Sequence, residues 1–252
     1  MGRTSATPQK PATGNATKLS PGAGVVRPGV TGRQRTATPG TGLQRERILH
    51  VAAELFARQG YANTTMAQVV RALDVTKPFV YYYFRDKQEI FETLSWAPAV
   101  ACFTSMDFPP DDRRPAAERV VEGIERLIRA TVSHLPCAFF GYREPQVYRP
   151  AYLAAQRVLA NHFYDRFCAL LEQGRRDGSL DFNDTRITAQ AACSLPGFLF
   201  SWYRADGRLS GDQVVAELTT LASRVIGLRD VGVPAAAVAP AASFLPINRD
   251  TS

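Results

Sequence analysis

The chain has 252 residues, 45% of them hydrophobic, with 30 Lys and Arg against 23 Asp and Glu and a formal net charge of +7. That apolar content supports a soluble globular protein with a real core, in one large domain or two small ones, and the basic balance fits a polyanionic partner, although solubility alone also accounts for it. No apolar run approaches the roughly 20 residues needed to span a bilayer, and no secretory signal opens the chain, so a cytoplasmic protein without a membrane partner is expected.

Residues 1 to 44 carry Arg3, Lys10, Lys18, Arg27, Arg33 and Arg35 and no acidic residue, so six of the seven net positive charges lie there. The stretch is rich in Pro, Gly, Thr and Ala and lacks aromatic residues, which predicts a disordered basic tail over residues 1–42. Such a tail either holds phosphate backbone non-specifically or is a solvated extension. Pro8, Pro11, Pro21, Pro28 and Pro39 would interrupt the amphipathic helix of an organelle transit peptide.

A first helix is predicted from about Leu43 to Gln59, because Ile48, Val51, Ala52, Leu55 and Phe56 recur on one face, and Gly60 is its natural cap. Met66, Val69, Val70 and Leu73 predict a second helix, with Thr64 or Thr65 at its start. Asp74 tolerates the left-handed conformation and lets the chain reverse. A third, short helix follows, capped by Thr76, with Pro78 in its first turn and Val80 and Phe84 as its inward edge. That leaves Lys77, Pro78, Phe79, Tyr81 and Tyr82 with little to pack against inside so small a unit. The pair reads as a helix-turn-helix whose second helix enters a DNA major groove.

Asp86 is the predicted N-cap of a fourth helix from Lys87, with Pro98 a kink or end. Thr104 to Arg114 reads as a loop. Pro115 opens a helix with an apolar face of Val120, Val121, Ile124, Leu127, Ile128 and Thr131, ending near Pro136. An interrupted aromatic segment spans about Ala138 to Tyr148, and Pro150 starts a long helix reaching Gln173. Asp184 caps a penultimate helix that should bend at Leu195-Pro196-Gly197. Ser210 and Gln213 form a capping box for the last helix. Its apolar face (Val214, Val215, Leu218, Leu221, Ala222, Val225 and Ile226) is wider than one neighbour requires. A loose tail is expected from 229 to 252. No segment alternates with period two, so the fold class is all-α.

From Arg45-Glu-Arg-Ile48 through Ala52-Ala53-Glu-Leu-Phe56, Gly60-Tyr61 and Val75-Thr-Lys77 to Tyr81, Phe84 and Lys87, the sequence resembles the TetR family of transcriptional regulators. It departs from the family at the turn, with Asp74 in place of the usual glycine, and at Tyr83, where a histidine is common. The resemblance implies a three-helix DNA-binding head over residues 43–88, with Leu55, Phe56, Val69, Leu73, Val80 and Phe84 as its core. It also implies a helical body over residues 89–228 that binds a small molecule and dimerises through its last two helices.

The expected partners are therefore double-stranded operator DNA, a second copy of the chain and a small-molecule effector. For DNA, Lys77 suits a guanine edge or a phosphate, and Pro78 and Phe79 suit a thymine methyl. Tyr81, Tyr82, Lys87 and Arg45 suit phosphates, as do Thr64 and Thr65 at a helix N-terminus. For the effector, Phe139, Phe140, Tyr148, Tyr152, Phe163, Tyr164, Phe167, Phe198 and Trp202 are candidate walls of an apolar pocket. The body also resembles family members that answer to acyl thioesters; a sensor of other hydrophobic or aromatic compounds is equally compatible.

Cys102, Cys137, Cys168 and Cys193 form no CxxC pair, and the histidines do not cluster, so reduced buried thiols are expected and no metal site. Gly40-Thr-Gly42-Leu-Gln-Arg45 begins like a dinucleotide loop but ends in Arg with no strand before it. No P-loop, GxSxG or HExxH motif is present. No enzymatic activity and no cofactor are expected. The competing reading is a helical adaptor that binds other proteins through its apolar faces.

Overall fold

A computed structural model describes residues 39–229. These form ten α-helices: α1 (Pro39–Gln59), α2 (Met66–Leu73), α3 (Lys77–Tyr83), α4 (Lys87–Phe103), α5 (Ala116–Ser133), α6 (Phe140–Arg143), α7 (Pro150–Asp177), α8 (Thr185–Ser194), α9 (Leu199–Trp202) and α10 (Gly211–Val225). Short 3-10 turns at Cys137–Phe139, Pro145–Val147 and Leu195–Phe198 join some of them. No strand forms among the described residues. The predicted basic tail lies outside these residues except where α1 begins at Pro39, before the expected Leu43, and the predicted C-terminal tail lies outside them beyond Arg229.

The head is built by local capping. Gly60 takes a φ of 80° after α1. Thr65 and Gln68 form a complete capping box at the start of α2. Asp74 sits in the left-handed region, with φ 54° and ψ 50°, and its N–H closes onto Arg71 and Val70 carbonyls. The Arg47 guanidinium donates to the Leu73 carbonyl at 3.0 Å, so a side chain of α1 satisfies an orphan group at the end of α2. At α4 the Asp86 carboxylate accepts from the Glu89 N–H at 2.8 Å, as its N-cap role requires. The seven residues of α3 are far too few to hold a helix alone. Val80 and Phe84, both buried, tie it to Ile48, Ala52, Leu55, Phe56, Val69 and Leu73; each buried side chain of this size contributes about 1.5–3 kcal/mol.

In the body, α5 lies against α4, α7 and α10, and Val120, Ile124, Leu127 and Ile128 supply its buried face. Val121, expected on that face, is only half-buried. The fourth helix does not stop at Pro98 but continues to Phe103. The seventh passes Gln173 to end at Asp177, with Gly174 buried inside it. At the expected bend the chain tightens into the 3-10 turn Leu195–Phe198, which separates α8 from α9. The Ser210–Gln213 capping box forms at α10. Beyond it, Gly227 has φ 61°, and a Cβ there would lie 1.8 Å from the Asp181 carbonyl oxygen. Its own carbonyl accepts from the Asp181 N–H at 2.9 Å, closing the end of α10 onto the chain after α7.

Head and body are not separate cores. Phe140, Val147, Tyr148 and Tyr152 belong to the same buried cluster as Phe56, Phe91 and Trp96, and the residue 88/89 boundary read from the sequence falls inside α4.

Replacing Asp74 tests the turn. Asp74→Gly should leave urea-unfolding stability within about 0.5 kcal/mol, whereas Asp74→Val, a β-branched residue forced to positive φ, should lower it by about 1–2 kcal/mol. Equal stability of the Val variant would remove the turn from the account of the head.

Candidate functional site

Among the described residues, candidate chemistry lies on the outer surface of α3 and in a cavity in the body. On α3, the chain enters in extended backbone at Thr76 (φ −82°, ψ 152°), and Pro78 lies where no helical N–H is missed. With Val80 and Phe84 turned inward, helical periodicity sends Lys77, Pro78, Tyr81 and Tyr82 outward, and all four are exposed. The Lys77 ammonium lies 5.5 Å from the Tyr81 ring centroid. Phe79 is half-buried, its ring edge-on to Tyr83 at 5.4 Å. Thr65 is exposed at the N-terminus of α2, and the Arg45 guanidinium lies 4.8 Å from the Phe84 ring centroid.

Two of the predicted phosphate contacts point elsewhere. Thr64 is fully buried; its hydroxyl donates to the Gly60 carbonyl at 2.8 Å and accepts from Gln59 at 3.2 Å. It was expected at the helix N-terminus, but that place belongs to Thr65 alone. Lys87 is half-buried, with its ammonium donating to the Tyr61 carbonyl at 2.7 Å and seated 4.0 Å from the Tyr61 ring centroid. Burial lowers its pKa. Both residues brace the head from within. Periodicity could not reveal this, because their partners lie at the end of α1 and on the loop after it.

The cavity, of about 640 Å³, lies between α4, α5, α7, α8 and the segment around α6. Of the predicted wall residues, Phe139, Tyr148, Tyr152, Phe163, Tyr164 and Phe198 line it. Phe140, Phe167 and Trp202 do not. Phe140 stacks on Phe91 at 4.8 Å and meets Phe56 edge-on, which places it in the head cluster. Phe167 is fully buried in the body core, and Trp202 is half-exposed on the surface. Sequence reading missed the wall that α4 and α5 provide: Ser95, Pro98, Ala99, Cys102, Phe103, Leu127 and Thr131. The scattered cysteines were the available signal, since Cys102, Cys137 and Cys193 converge on this space from three separate segments. Burial pushes the Cys137 thiol up to about 11 and Cys193 to about 12, and raises Cys102 as well. At neutral pH these groups are protonated and serve as soft apolar wall.

A polar clamp connects the cavity to the head. Arg149, which follows the cavity residue Tyr148, pairs with Asp86 at 2.8 Å and with Glu92 at 2.7 Å, both belonging to the start of α4. The Arg149 backbone N–H also donates to Glu92 at 2.7 Å, and the Gln88 amide donates to the Val147 carbonyl. Burial pushes the Asp86 carboxyl up, but the Glu89 N–H and the Arg149 guanidinium outweigh it, so its pKa lies below the ordinary carboxylate value. Among the described residues no cluster of metal-ligating side chains exists, and no helix is long and apolar enough to cross a membrane.

Comparison with known proteins agrees with this architecture. A family model described as bacterial regulatory proteins, tetR family, matches residues 48–94, and a second, described as tetracyclin repressor-like, C-terminal domain, matches residues 113–226. The transcriptional regulator AcrR of Shigella flexneri is 29% identical over 136 residues, a match covering 48% of this chain but only 60% of that protein's length. A tetR-family regulatory protein of Rhodococcus RHA1 superposes with a TM-score of 0.64 at 23% identity, covering 74% of this chain and 98% of that one. AibR, solved in complex with isovaleryl coenzyme A and operator DNA, superposes at 0.60 with 16% identity over 74% of this chain and all of that one. The two family models together take in both the helix-turn-helix head and the helical body, and the chain belongs to the TetR family of DNA-binding transcriptional regulators.

Proposed function

We propose that the chain is a ligand-responsive repressor, acting in the cytoplasm, that binds a palindromic operator as a homodimer and leaves it when a small hydrophobic molecule occupies the body cavity. The observation that carries this reading is the surface of α3, where Lys77, Pro78, Tyr81 and Tyr82 stand exposed on a helix pinned from behind by Val80 and Phe84. Lys77 supplies bidentate donors for a base edge or phosphate, and Pro78 and the outer edge of Phe79 supply apolar contact. The phenols of Tyr81 and Tyr82, the Thr65 end of α2 and Arg45 on α1 supply backbone contacts. Thr64 and Lys87 act indirectly, by holding the loop that aligns α2 with α4.

Two copies of α3 must lie about 34 Å apart to reach successive major grooves. Support for a dimer comes from apolar side chains left uncovered at the end of the body: Ile187 on α8 and Leu221 and Val225 on α10 are 71%, 43% and 38% exposed. A second copy packing α8 and α10 against their equivalents would cover them. The effector would act through α4, which lines the cavity with Ser95, Ala99 and Cys102 and opens at the Asp86–Arg149 clamp. To empty the operator it must favour the released arrangement by a few kcal/mol. The fold neighbour AibR is solved with isovaleryl coenzyme A and operator DNA, and the acyl chain of a thioester of that kind is one group apolar enough for this cavity.

Gel-shift titration against the chain's own upstream DNA tests the reading. Lys77→Ala should weaken the specific complex by about 5- to 100-fold without altering the thermal melt. If the unaltered chain gives only salt-labile, sequence-blind retention, the account gives way to a helical adaptor. A Leu221→Glu, Val225→Glu double variant should sediment as a monomer and lose cooperative operator binding. A monomeric unaltered chain would remove the dimer.

A further inference from the structure

The open side of the body cavity is rimmed by Tyr142, Leu153, Gln190, Ser194 and Phe198, which line it and are nevertheless exposed. At that rim Phe198, a large apolar residue, is 68% exposed. It also belongs to a second feature. Ile187, Ala191, Ser194, Phe198 and Trp202 recur every three or four residues along α8, the 3-10 turn and α9, and all but the half-buried Ala191 are exposed. Large apolar side chains occupy the ends of this stripe and small ones its middle. Two copies crossing at Ala191 and Ser194 on a two-fold axis therefore come close enough for Ile187 of each to meet Phe198 of the other.

Charge on α10 selects the same occupant. Glu217 and Arg224 are exposed, and neither forms an ion pair among the described residues. They lie symmetrically about Thr220 and Leu221, so α10 packed antiparallel on a second α10 sets each Glu217 opposite Arg224 of the partner subunit, with the exposed Leu221 between. An unrelated partner would not require this symmetry. The antiparallel Leu180–Leu228 bridge ties the approach to α8 to the exit from α10, so the two helices run in opposite directions with their middles side by side. One two-fold axis can thus pass through both stripes.

We infer that each effector cavity is completed across the dimer, with Ile187 of the partner subunit seated on Phe198 at the rim. This composite site rests on the homodimer and effector-cavity readings and adds to them a residue that the single chain's cavity lacks, since Ile187 does not line its own. Ligand and partner then reinforce one another. Whatever fills the cavity covers Phe198 from inside while the partner covers it from outside, and the coupling is reciprocal.

Dye binding and sedimentation on the full chain test this. N-phenyl-1-naphthylamine, a neutral dye that fluoresces in apolar surroundings, reports cavity occupancy. The unaltered chain should bind it at least about tenfold more weakly below its dimer dissociation constant than above it, and saturating dye should tighten the dimer at least as much. Ile187→Ala, kept at concentrations where it sediments as a dimer, should bind the dye about 3- to 10-fold more weakly. Because that side chain is outside its own cavity, the loss comes through the partner. Glu217→Arg and Arg224→Glu should each weaken the dimer about 5- to 50-fold, and both changes in one chain should restore it to within about threefold. Dye affinity independent of dimerisation, an Ile187→Ala dimer that binds as the unaltered chain does, or a double reversal no better than the single changes would each overturn the composite site while leaving the homodimer and the effector cavity standing. A chain that stays monomeric at every concentration removes the homodimer, and one that binds no dye removes the effector cavity; the composite site falls with either.

Discussion

The Glu92 carboxylate is buried in the side of α4, and the way the body is set against the head follows from how that charge is satisfied. A buried carboxylate without a partner is strongly destabilising, and replacing half of such a pair leaves the other half exposed to the same penalty. Arg149 answers it from the first residue before α7, with both its side chain and its backbone N–H, and reaches Asp86 as well. The start of the longest helix in the body is thereby fixed against the helix that leaves the head. Tyr148 and Tyr152, one on each side of that anchor, are brought against Trp96 and Phe91. The end wall of the cavity is thus set by the same residues that hold the head in place.

This geometry explains why head and body share a core. A head of three short helices has little interior of its own, and the stacked pair of Phe91 and Phe140, with Phe56 edge-on to both, extends that interior into the body. Rings packed this closely are not continuously deformable. A change at the cavity wall made by Tyr148 or Ser95 therefore reaches α4 as a shift of a packed element, which is the physical basis for the proposed coupling between effector and DNA surface.

The surface of α3 reflects a different constraint. Val80 and Phe84 hold its inner edge, with Phe79 and Tyr83 packed beside them, and Lys77, Pro78, Tyr81 and Tyr82 are left exposed to serve a partner. The tyrosines are stiff side chains with few rotamers, and the ring contacts from Phe79 to Tyr83 and from Tyr82 to Tyr83 restrict them further. A surface so ordered before contact loses less entropy when a partner is met. In the body, by contrast, the cysteine thiols and the aromatic rings form a largely apolar lining.

Much of this was legible in the amino-acid sequence, and the reason is locality. The head core, the capping residues Thr65, Asp86, Asp184 and Ser210, the left-handed Asp74 and the outward side of α3 all depend on neighbours within a few residues, where periodicity and capping chemistry act directly. The same locality marked the over-wide apolar face of α10. What only the tertiary structure decided was the assignment of aromatic and polar side chains to core, cavity or surface. Phe140 and Phe139 are adjacent and both buried, yet one packs into the head and the other lines the cavity. Thr64 and Lys87 carry the right chemistry for phosphate but spend it on Gly60 and Tyr61. For Phe139, Phe140 and Lys87 the outcome depends on which segment distant in sequence lies opposite each residue, whereas Thr64 bonds within five residues of itself, in a loop whose path no helical periodicity gives.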